Sequence, residues 1–356
     1  MSSGGARIAS VHVTLPPNRY GQRDVTEKLA SMVFDGDEAG RGMMAKFHAS
    51  AGVRNRHLTL PLERYGAISG FGEANDAFIE GALDYGAEAV DAALREAGLR
   101  AGDVDLFVAT SVTGVAVPSV DARLAGALGM RPDVKRLPIF GLGCVAGAAG
   151  LARLHDYLLA WPDHVAVLLS VELCSLTWQR TDRSPANLVA SALFGDGAAA
   201  VVACGAARDG APGPRVVATR SRLYPDTERV MGWDVGDSGF SVVLGADVPD
   251  VVRRYLADDV HAFLGEHGLT ASDISTWVCH PGGPKVLEAV QDALELPPDT
   301  LELTWRSLAD VGNLSSASVL YVLRDTLRDR RPPAGSHGLL LAMGPGFCAE
   351  LVLLRW

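Results

Sequence analysis

Three residues in this chain of 356 have the types and settings that acyl chemistry calls for: Cys144, His280 and Asn313. Cys144 stands in Gly141-Leu-Gly-Cys-Val-Ala-Gly147, where glycines permit a sharp strand-to-helix turn and small residues let the helix pack deep. A thiol at a helix start meets the positive end of the helix dipole, which favours thiolate, and a nearby imidazole favours it further. His280 stands in Cys279-His-Pro-Gly-Gly-Pro284, directly after an apolar segment that reads as a buried strand, so it emerges into a loop where catalytic groups collect. Asn313 stands in Val311-Gly-Asn-Leu-Ser-Ser-Ala-Ser318. An imidazole N–H and a carboxamide N–H are two neutral donors for one oxygen, the arrangement that stabilises an enolate or a tetrahedral oxyanion. Taken singly, each residue has a plainer reading: a small buried thiol, a structural histidine, a helix N-cap. The glycines at 141, 143 and 147 are not a dinucleotide fingerprint, because the spacing is wrong and no acidic ribose partner follows.

An internal repeat joins the three. Val90 to Thr110 reads VDAALREAGLRAGDVDLFVAT, and Val260 to His280, 170 positions on (260 − 90), reads VHAFLGEHGLTASDISTWVCH. Leu94/Leu264, Glu96/Glu266, Gly98/Gly268, Leu99/Leu269, Asp103/Asp273 and Val108/Val278 fall in register. The match returns one residue shorter, where Gly143 to Leu158 faces Gly312 to Leu327. One copy carries Cys144 and the other His280 and Asn313, so a composite site follows.

The elements that must position these groups alternate. In the first half, helical spacing over Leu83–Ala97 stops at Gly98; Val104–Ala109 and Val165–Ser170 read as buried strands flanking a small-residue helix over Val145–Leu159. Phe194-Gly-Asp-Gly197 is a turn before a strand over Ala198–Ala203. The second half repeats the order: a helix over Pro249–Glu266, a strand over Ser275–Cys279, a helix after Asn313, then strands over Gly338–Ala342 and Cys348–Leu354 around the Gly344-Pro-Gly346 turn. Near-continuous apolar strands alternating with helices imply sheets covered on both faces, and two such halves give an α/β, layered αβαβα body. The boundary is placed in the Gly/Pro-rich stretch 205–215, giving halves of 1–210 and 211–356.

Composition narrows the function classes. A net charge of −10 argues against a nucleic-acid or anionic-membrane partner. No segment approaches 18 apolar residues and the opening MSSGGARIAS has no signal-peptide core, so a cytoplasmic protein is expected. Five widely spaced cysteines, without CxxC or CxxH pairs, form neither a disulfide framework nor a zinc site.

At these residues the chain resembles the thiolase-like condensing enzymes, and within them the type III polyketide synthases related to chalcone and stilbene synthase. The motifs that carry the resemblance are GLGCVAG around Cys144, Leu193-Phe-Gly-Asp-Gly-Ala198, Val278-Cys-His-Pro-Gly-Gly-Pro284, Gly312-Asn-Leu-Ser-Ser-Ala317 and Met343-Gly-Pro-Gly-Phe347. The resemblance implies that Cys144 takes an acyl starter from CoA. Malonyl-CoA then decarboxylates with His280 and Asn313 holding the enolate oxygen, and the enolate carbon attacks the Cys144 thioester in a Claisen condensation before the product cyclises to a pyrone or resorcinol. It implies no metal and no cofactor, a homodimer, CoA thioesters as small-molecule partners and no acyl carrier protein. Phe194 and Phe240 match the aromatic gates between tunnel and cavity. Val112, Thr113, Glu172 and Cys174 match cavity and tunnel-wall positions, and Lys46, Arg54 and Arg56 match a basic tunnel mouth for CoA phosphates.

Three departures separate the chain from the plant enzymes. Val112 stands where a cavity threonine is found, Val117 replaces the methionine that reaches toward the partner subunit, and Ala342-Met343 precedes the Gly-Pro-Gly turn. These point away from plant phenylpropanoid starters and toward bacterial members that take fatty acyl starters. Two rivals remain at this level. The ketoacyl synthase that initiates fatty-acid synthesis shares the Cys-His-Asn set but needs a basic docking patch for its carrier protein. A non-catalytic thiolase-fold partner protein would usually lose the nucleophile.

Overall fold

The two copies of the repeated segment fold alike. In the computed structural model, which describes residues 4–208 and 210–356, Gly98 and Gly268 follow a helix with the same φ of +69°, a left-handed conformation open to glycine. Each is followed by a single 3₁₀ turn, Ala101–Asp103 and Ala271–Asp273. The Asp103 and Asp273 carboxylates accept the backbone N–H of Arg100 and Thr270, both at 2.8 Å.

The first half runs β1 (Arg7–Thr14), β2 (Asn18–Gly21), α1 (Gln22–Val33), α2 (Glu38–Ser50), β3 (Asn55–Leu58), α3 (Phe71–Glu96), β4 (Leu106–Thr110), α4 (Val120–Ala127) and β5 (Lys135–Ile139). It continues through α5 (Ala146–Ala160), β6 (Val165–Leu173), α6 (Pro185–Leu193) and β7 (Asp196–Cys204). The second half holds β8 (Arg215–Leu223), β9 (Met231–Gly236), β10 (Gly239–Leu244), α7 (Val248–Glu266), β11 (Ile274–Cys279) and α8 (Pro284–Ala293). It ends with α9 (Glu302–Val311), α10 (Ser316–Asp329), β12 (His337–Gly344) and β13 (Cys348–Arg355). Within the expected boundary loop, residue 209 lies outside the described residues.

Nine strands share one sheet in the order β11-β12-β13-β8-β1-β7-β6-β4-β5. The halves therefore meet edge to edge, with Arg7 of β1 opposite Arg215 of β8. Helices α5 and α10 lie in the middle: Leu151 and Leu154 of one and Val319 and Leu323 of the other pack with Leu168 and Val201 from the first half and Leu340 and Val352 from the second. Outside the first half, α3 buries Phe78, Ala89 and Val90 against Val167, Leu169 and Val202. Outside the second, Val252, Leu256, Leu287 and Leu308 cover Leu339, Leu341 and Leu353. Successive residues of β6 thus enter different cores, Val167 and Leu169 outward and Ala166 and Leu168 inward, which is why such strands read as continuous apolar runs.

Helix α3 begins at Phe71, well before the apolar run at Leu83. Its first turns bury Ala74, Phe78, Gly81 and Ala82, a stripe of small residues at helical spacing. A Cβ on Gly81 would lie 2.9 Å from the Leu173 side chain, so close packing against β6 rather than side-chain bulk holds this part.

Candidate active site

Cys144 sits in a 3₁₀ turn, Gly143–Val145, that leads directly into α5. Gly143 takes φ +54°, and a Cβ there would meet the Pro345 ring at 2.8 Å, so the Gly344-Pro-Gly346 turn closes over the nucleophile's backbone. Behind it, a Cβ on Gly147 would fall 2.2 Å from the Ser316 carbonyl oxygen. Only small residues allow α5 and α10 to approach this closely, and the approach carries Ser315 and Asn313 to the sulfur. The Cys144 Sγ lies 3.6 Å from Ser315 Oγ, and the Asn313 side chain is near enough to act on the thiol's pKa. Burial pushes the thiol up to about 12; hydrogen bonds from Ser315 and Asn313 draw it down, and the Glu172 carboxylate pushes it up. Burial therefore opposes the thiolate that the helix start and a nearby imidazole were expected to favour. A proton acceptor is required.

Asn313 is fixed through both ends of its carboxamide. Its Oδ1 accepts from Ser315 N at 2.8 Å and from Ser318 Oγ at 3.4 Å, and Nδ2 donates to the Gly282 carbonyl at 3.5 Å. With the oxygen occupied by donors, the amide nitrogen is the end turned to Cys144 and to the loop that carries His280. Ser315 adopts φ +47° to complete this arrangement, a conformation uncommon for a residue with a Cβ. The Asn313 backbone bridges to the first half: its N–H donates to Leu193 O at 2.8 Å and its carbonyl accepts from Gly195 N at 3.0 Å.

His280 leaves the end of β11, with its N–H extending the ladder to Leu341 O of β12 at 3.0 Å. It is buried, and Nδ1 has no hydrogen-bond partner among the described residues. Burial pushes the imidazole down to about 3, so the ring is neutral at physiological pH.

Glu172, expected as a tunnel-wall residue, is fully buried and close enough to Cys144 for its charge to act on the thiol. Its Oε2 accepts from Val112 N at 3.0 Å, Thr113 Oγ1 at 2.9 Å and Ser111 Oγ at 3.3 Å; Oε1 accepts from Ser316 Oγ. Burial pushes it up to about 7, against those hydrogen bonds. A lone acid near the end of the apolar run VAVLLSVEL was the available signal for its special setting. Thr113 also accepts from Leu173 N at 2.9 Å, tying this segment to β6, while the Val112 side chain offers no hydrogen bond.

Phe194 and Phe240 meet through an intermediary that sequence reasoning missed. Phe240 is ringed by Phe71 at 5.3 Å, Trp233 at 6.0 Å and Phe140 at 6.4 Å between centroids. Phe194 shares with Trp233, Cys174, Thr177 and Asn187 the lining of a void of about 10 Å³, room for one water. Trp233 on β9, facing the β10 strand that carries Phe240, was the missed signal. A cavity of about 1170 Å³ lies elsewhere in the second half, between Asp258, His261, Trp277, Glu295 and Arg330.

The three basic residues do not act together. Lys46 is exposed on α2, and Arg54, also exposed, pairs with Asp310 at 2.7 Å. Arg56 is a correction: it is completely buried, its guanidinium turned inward to the Ser191 and Phe194 carbonyls, so it is not at a solvent-facing tunnel mouth. Val117 is the opposite case, 95% exposed, and Val115, Leu137 and Phe140 are exposed nearby in sequence and along β5. That cluster edges the sheet.

A buried thiol, a neutral imidazole and an oriented carboxamide at the meeting of two repeated α/β halves define a condensing enzyme of the thiolase type. The profile of the N-terminal domain of chalcone and stilbene synthases matches residues 1–207 and that of the C-terminal domain residues 215–356. A 1,3,6,8-tetrahydroxynaphthalene synthase from Streptomyces peucetius subsp. caesius is 62% identical over 99% of this chain and 93% of its own length. The crystal structure of 1,3,6,8-tetrahydroxynaphthalene synthase from Streptomyces coelicolor A3(2), a bacterial type III polyketide synthase, superposes with a TM-score of 0.92 at 32% identity, covering 98% of this chain and 99% of that one. The PKS-I structure from the brown alga Ectocarpus siliculosus superposes at 0.93 with 25% identity over 100% and 99% of the two chains. The chain belongs to the chalcone and stilbene synthase family and is a type III polyketide synthase. It extends an acyl-CoA by decarboxylative Claisen condensation with malonyl-CoA and needs no cofactor. No helix among the described residues is long and apolar enough to cross a membrane.

Proposed function

We propose that the chain builds 1,3,6,8-tetrahydroxynaphthalene or a close polyhydroxylated aromatic from malonyl units, with Cys144 as nucleophile and His280 and Asn313 as the oxyanion donors. The hydroxyl pattern of that product is the pattern of carbonyls on every second carbon of a folded polyketide, and the ring carries no alkyl substituent. A cavity that makes it must admit no long starter. The observation that carries this reading is 62% identity, over 99% of this chain and 93% of the relative's length, to a synthase of that product. This replaces the fatty-acyl subclass expected from the sequence.

In this reading the Cys144 proton passes to His280 as the sulfur attacks the acyl-CoA carbonyl, and CoA thiol leaves with a proton. Malonyl-CoA then loses carbon dioxide, and the enolate oxygen is held by the Asn313 Nδ2–H and an imidazole N–H. The enolate carbon attacks the Cys144 thioester and expels the sulfur, leaving a chain two carbons longer on CoA. A neutral imidazole suits this, because it both takes a proton and later donates an N–H. Phe194 and Phe240 serve as gates, Val112, Thr113, Glu172 and Cys174 back the cavity, and Lys46 and Arg54 offer charge to the CoA phosphates. The same reading has halves at 1–210 and 211–356, a cytoplasmic homodimer that covers Val117 and the β5 edge, and no carrier protein, nucleic acid or membrane partner.

The test is to incubate the purified protein with malonyl-CoA alone and analyse products by mass spectrometry. Tetrahydroxynaphthalene or its oxidation product is expected, and none from Cys144→Ala. Turnover only when a fatty acyl-CoA is added, giving alkylpyrones, would refute the product assignment.

A further inference from the structure

Arg56 is a guanidinium with no exposure to solvent, and its Nε and Nη2 have no hydrogen-bond partner among the described residues. Burial pushes it down to about 9, and Asp196 opposes that shift from a distance. A buried charge left half satisfied is costly to stability. Such a group persists where the geometry it enforces is needed.

What it enforces is the end of α6. A helix leaves its last carbonyls without partners in the helix, and here each is claimed individually. The Ala190 carbonyl accepts from Phe194 N at 3.0 Å. Ser191 O accepts from Arg56 Nη1, and Ala192 O accepts from Gln22 Nε2 at 2.8 Å. Leu193 O accepts from the Asn313 N–H at 2.8 Å. Phe194 O, just past the helix, accepts from the same Arg56 Nη1 at 3.0 Å. The Arg56 stem also lies against Gly312, where a Cβ would meet Arg56 Cγ at 3.5 Å and the Leu193 oxygen at 2.6 Å. Arg56 thus grips the carbonyls on either side of the one that holds the Asn313 backbone, and flanks the residue before Asn313.

We infer that Arg56 is a positioning residue for Asn313: it locks the end of α6 against residues 312–313 and so sets the carboxamide that faces Cys144. The inference rests on the oxyanion role of Asn313 given above. Its consequence is selective. The backbone of Cys144 is carried by the start of α5 and the Gly344-Pro-Gly346 turn, so the clamp reaches the thiol only through the lesser contributions of Asn313 and Ser315, whereas decarboxylation, which needs the carboxamide, depends on it directly.

The experiment compares wild type, Arg56→Met, Arg56→Lys, Asn313→Ala and the Arg56→Met/Asn313→Ala double variant. Carbon dioxide release from malonyl-CoA reports decarboxylation, and iodoacetamide alkylation reports access to and reactivity of Cys144. Arg56→Met is expected to lower kcat for decarboxylation by about 10- to 100-fold, the scale of a group displaced by an ångström or less, with KM and alkylation changed by less than about 3-fold. Arg56→Lys, which keeps one donor and the charge, recovers at least part of kcat. In the Asn313→Ala background, Arg56→Met adds little, because the group it positions is gone. Wild-type kcat in Arg56→Met, or an equal fall in alkylation and decarboxylation, would overturn the inference, as would full additivity in the double variant. Undiminished decarboxylation in Asn313→Ala would instead remove the role of Asn313, and the Arg56 inference with it. Should Arg56→Met not fold, Arg56→Leu, which likewise has no donor, carries the same expectation.

Discussion

The carboxyl of Glu172 offers the sharpest quantitative test of the site. It has no exposure to solvent and four hydrogen-bond donors, yet burial lifts it from 4.5 to about 7. The folded protein therefore keeps a proton that the unfolded chain releases. With its folded value raised, this group contributes stability that is fully present below pH 4.5. That contribution falls by about 1.4 kcal/mol per pH unit between 4.5 and 7, then levels off. The total is about 3 kcal/mol. Glu172→Gln removes the titration and replaces it with a pH-independent cost, because the amide NH₂ cannot accept from Ser316 or from the donors on Val112 and Thr113; one lost buried acceptor costs about 1–3 kcal/mol. The variant should thus be the less stable protein at pH 4.5 and draw level with or overtake wild type by pH 8.5. Urea unfolding of both proteins across that range, followed by tryptophan fluorescence, reads the difference directly. A wild-type-minus-variant stability difference that stays flat from pH 4.5 to 8.5 would refute the burial argument.

Burial pushes the Cys144 thiol up to about 12, so in His280→Ala, where no imidazole is left to take its proton, iodoacetamide alkylation should climb about tenfold per pH unit from 7 to 10, and a plateau near neutrality would show another base. Asn313→Ala deletes one of two oxyanion donors and should lower the rate of malonyl-CoA decarboxylation by about 10²–10³, measured as carbon dioxide release. Trp233→Ala opens the space beside Phe194 and should admit acyl starters excluded from wild type, seen as new alkylpyrone masses from hexanoyl-CoA plus malonyl-CoA. Val117→Asp places a charge in the exposed apolar cluster beside β5 and should shift the protein toward monomer in sedimentation-velocity runs.

Much of the fold was written in residues that are close in the chain. The paired Gly-Leu steps at 98 and 268, the aspartates at 103 and 273 and the apolar strands that follow are local signals. Helix termination, turn chemistry and double-faced burial act on them wherever they stand, so the duplicated α/β plan could be read directly, and the same local motifs single out Cys144, His280 and Asn313 as candidates. Helix α3 escaped in its first turns because Gly81 and Ala82 are held by close approach to β6, which leaves no mark in side-chain bulk. Other features depend on what lies opposite. Arg56 looks like its exposed neighbour Arg54 in sequence, and only the return of α6 and the Gly312 turn encloses it. Glu172 acquires its raised pKa from burial, against the Ser316 hydroxyl that bonds it from 144 residues away. The Cys144 thiol is governed by desolvation, a property of everything packed around it, rather than by the helix start it occupies. Residue type and spacing determined which groups can do the chemistry. The packing of α5 against α10 decided how those groups are charged and how the carboxamide is turned, and the β9–β10 hairpin how little space is left beside Phe194, because burial and orientation are properties of neighbours that the chain brings together only when it folds.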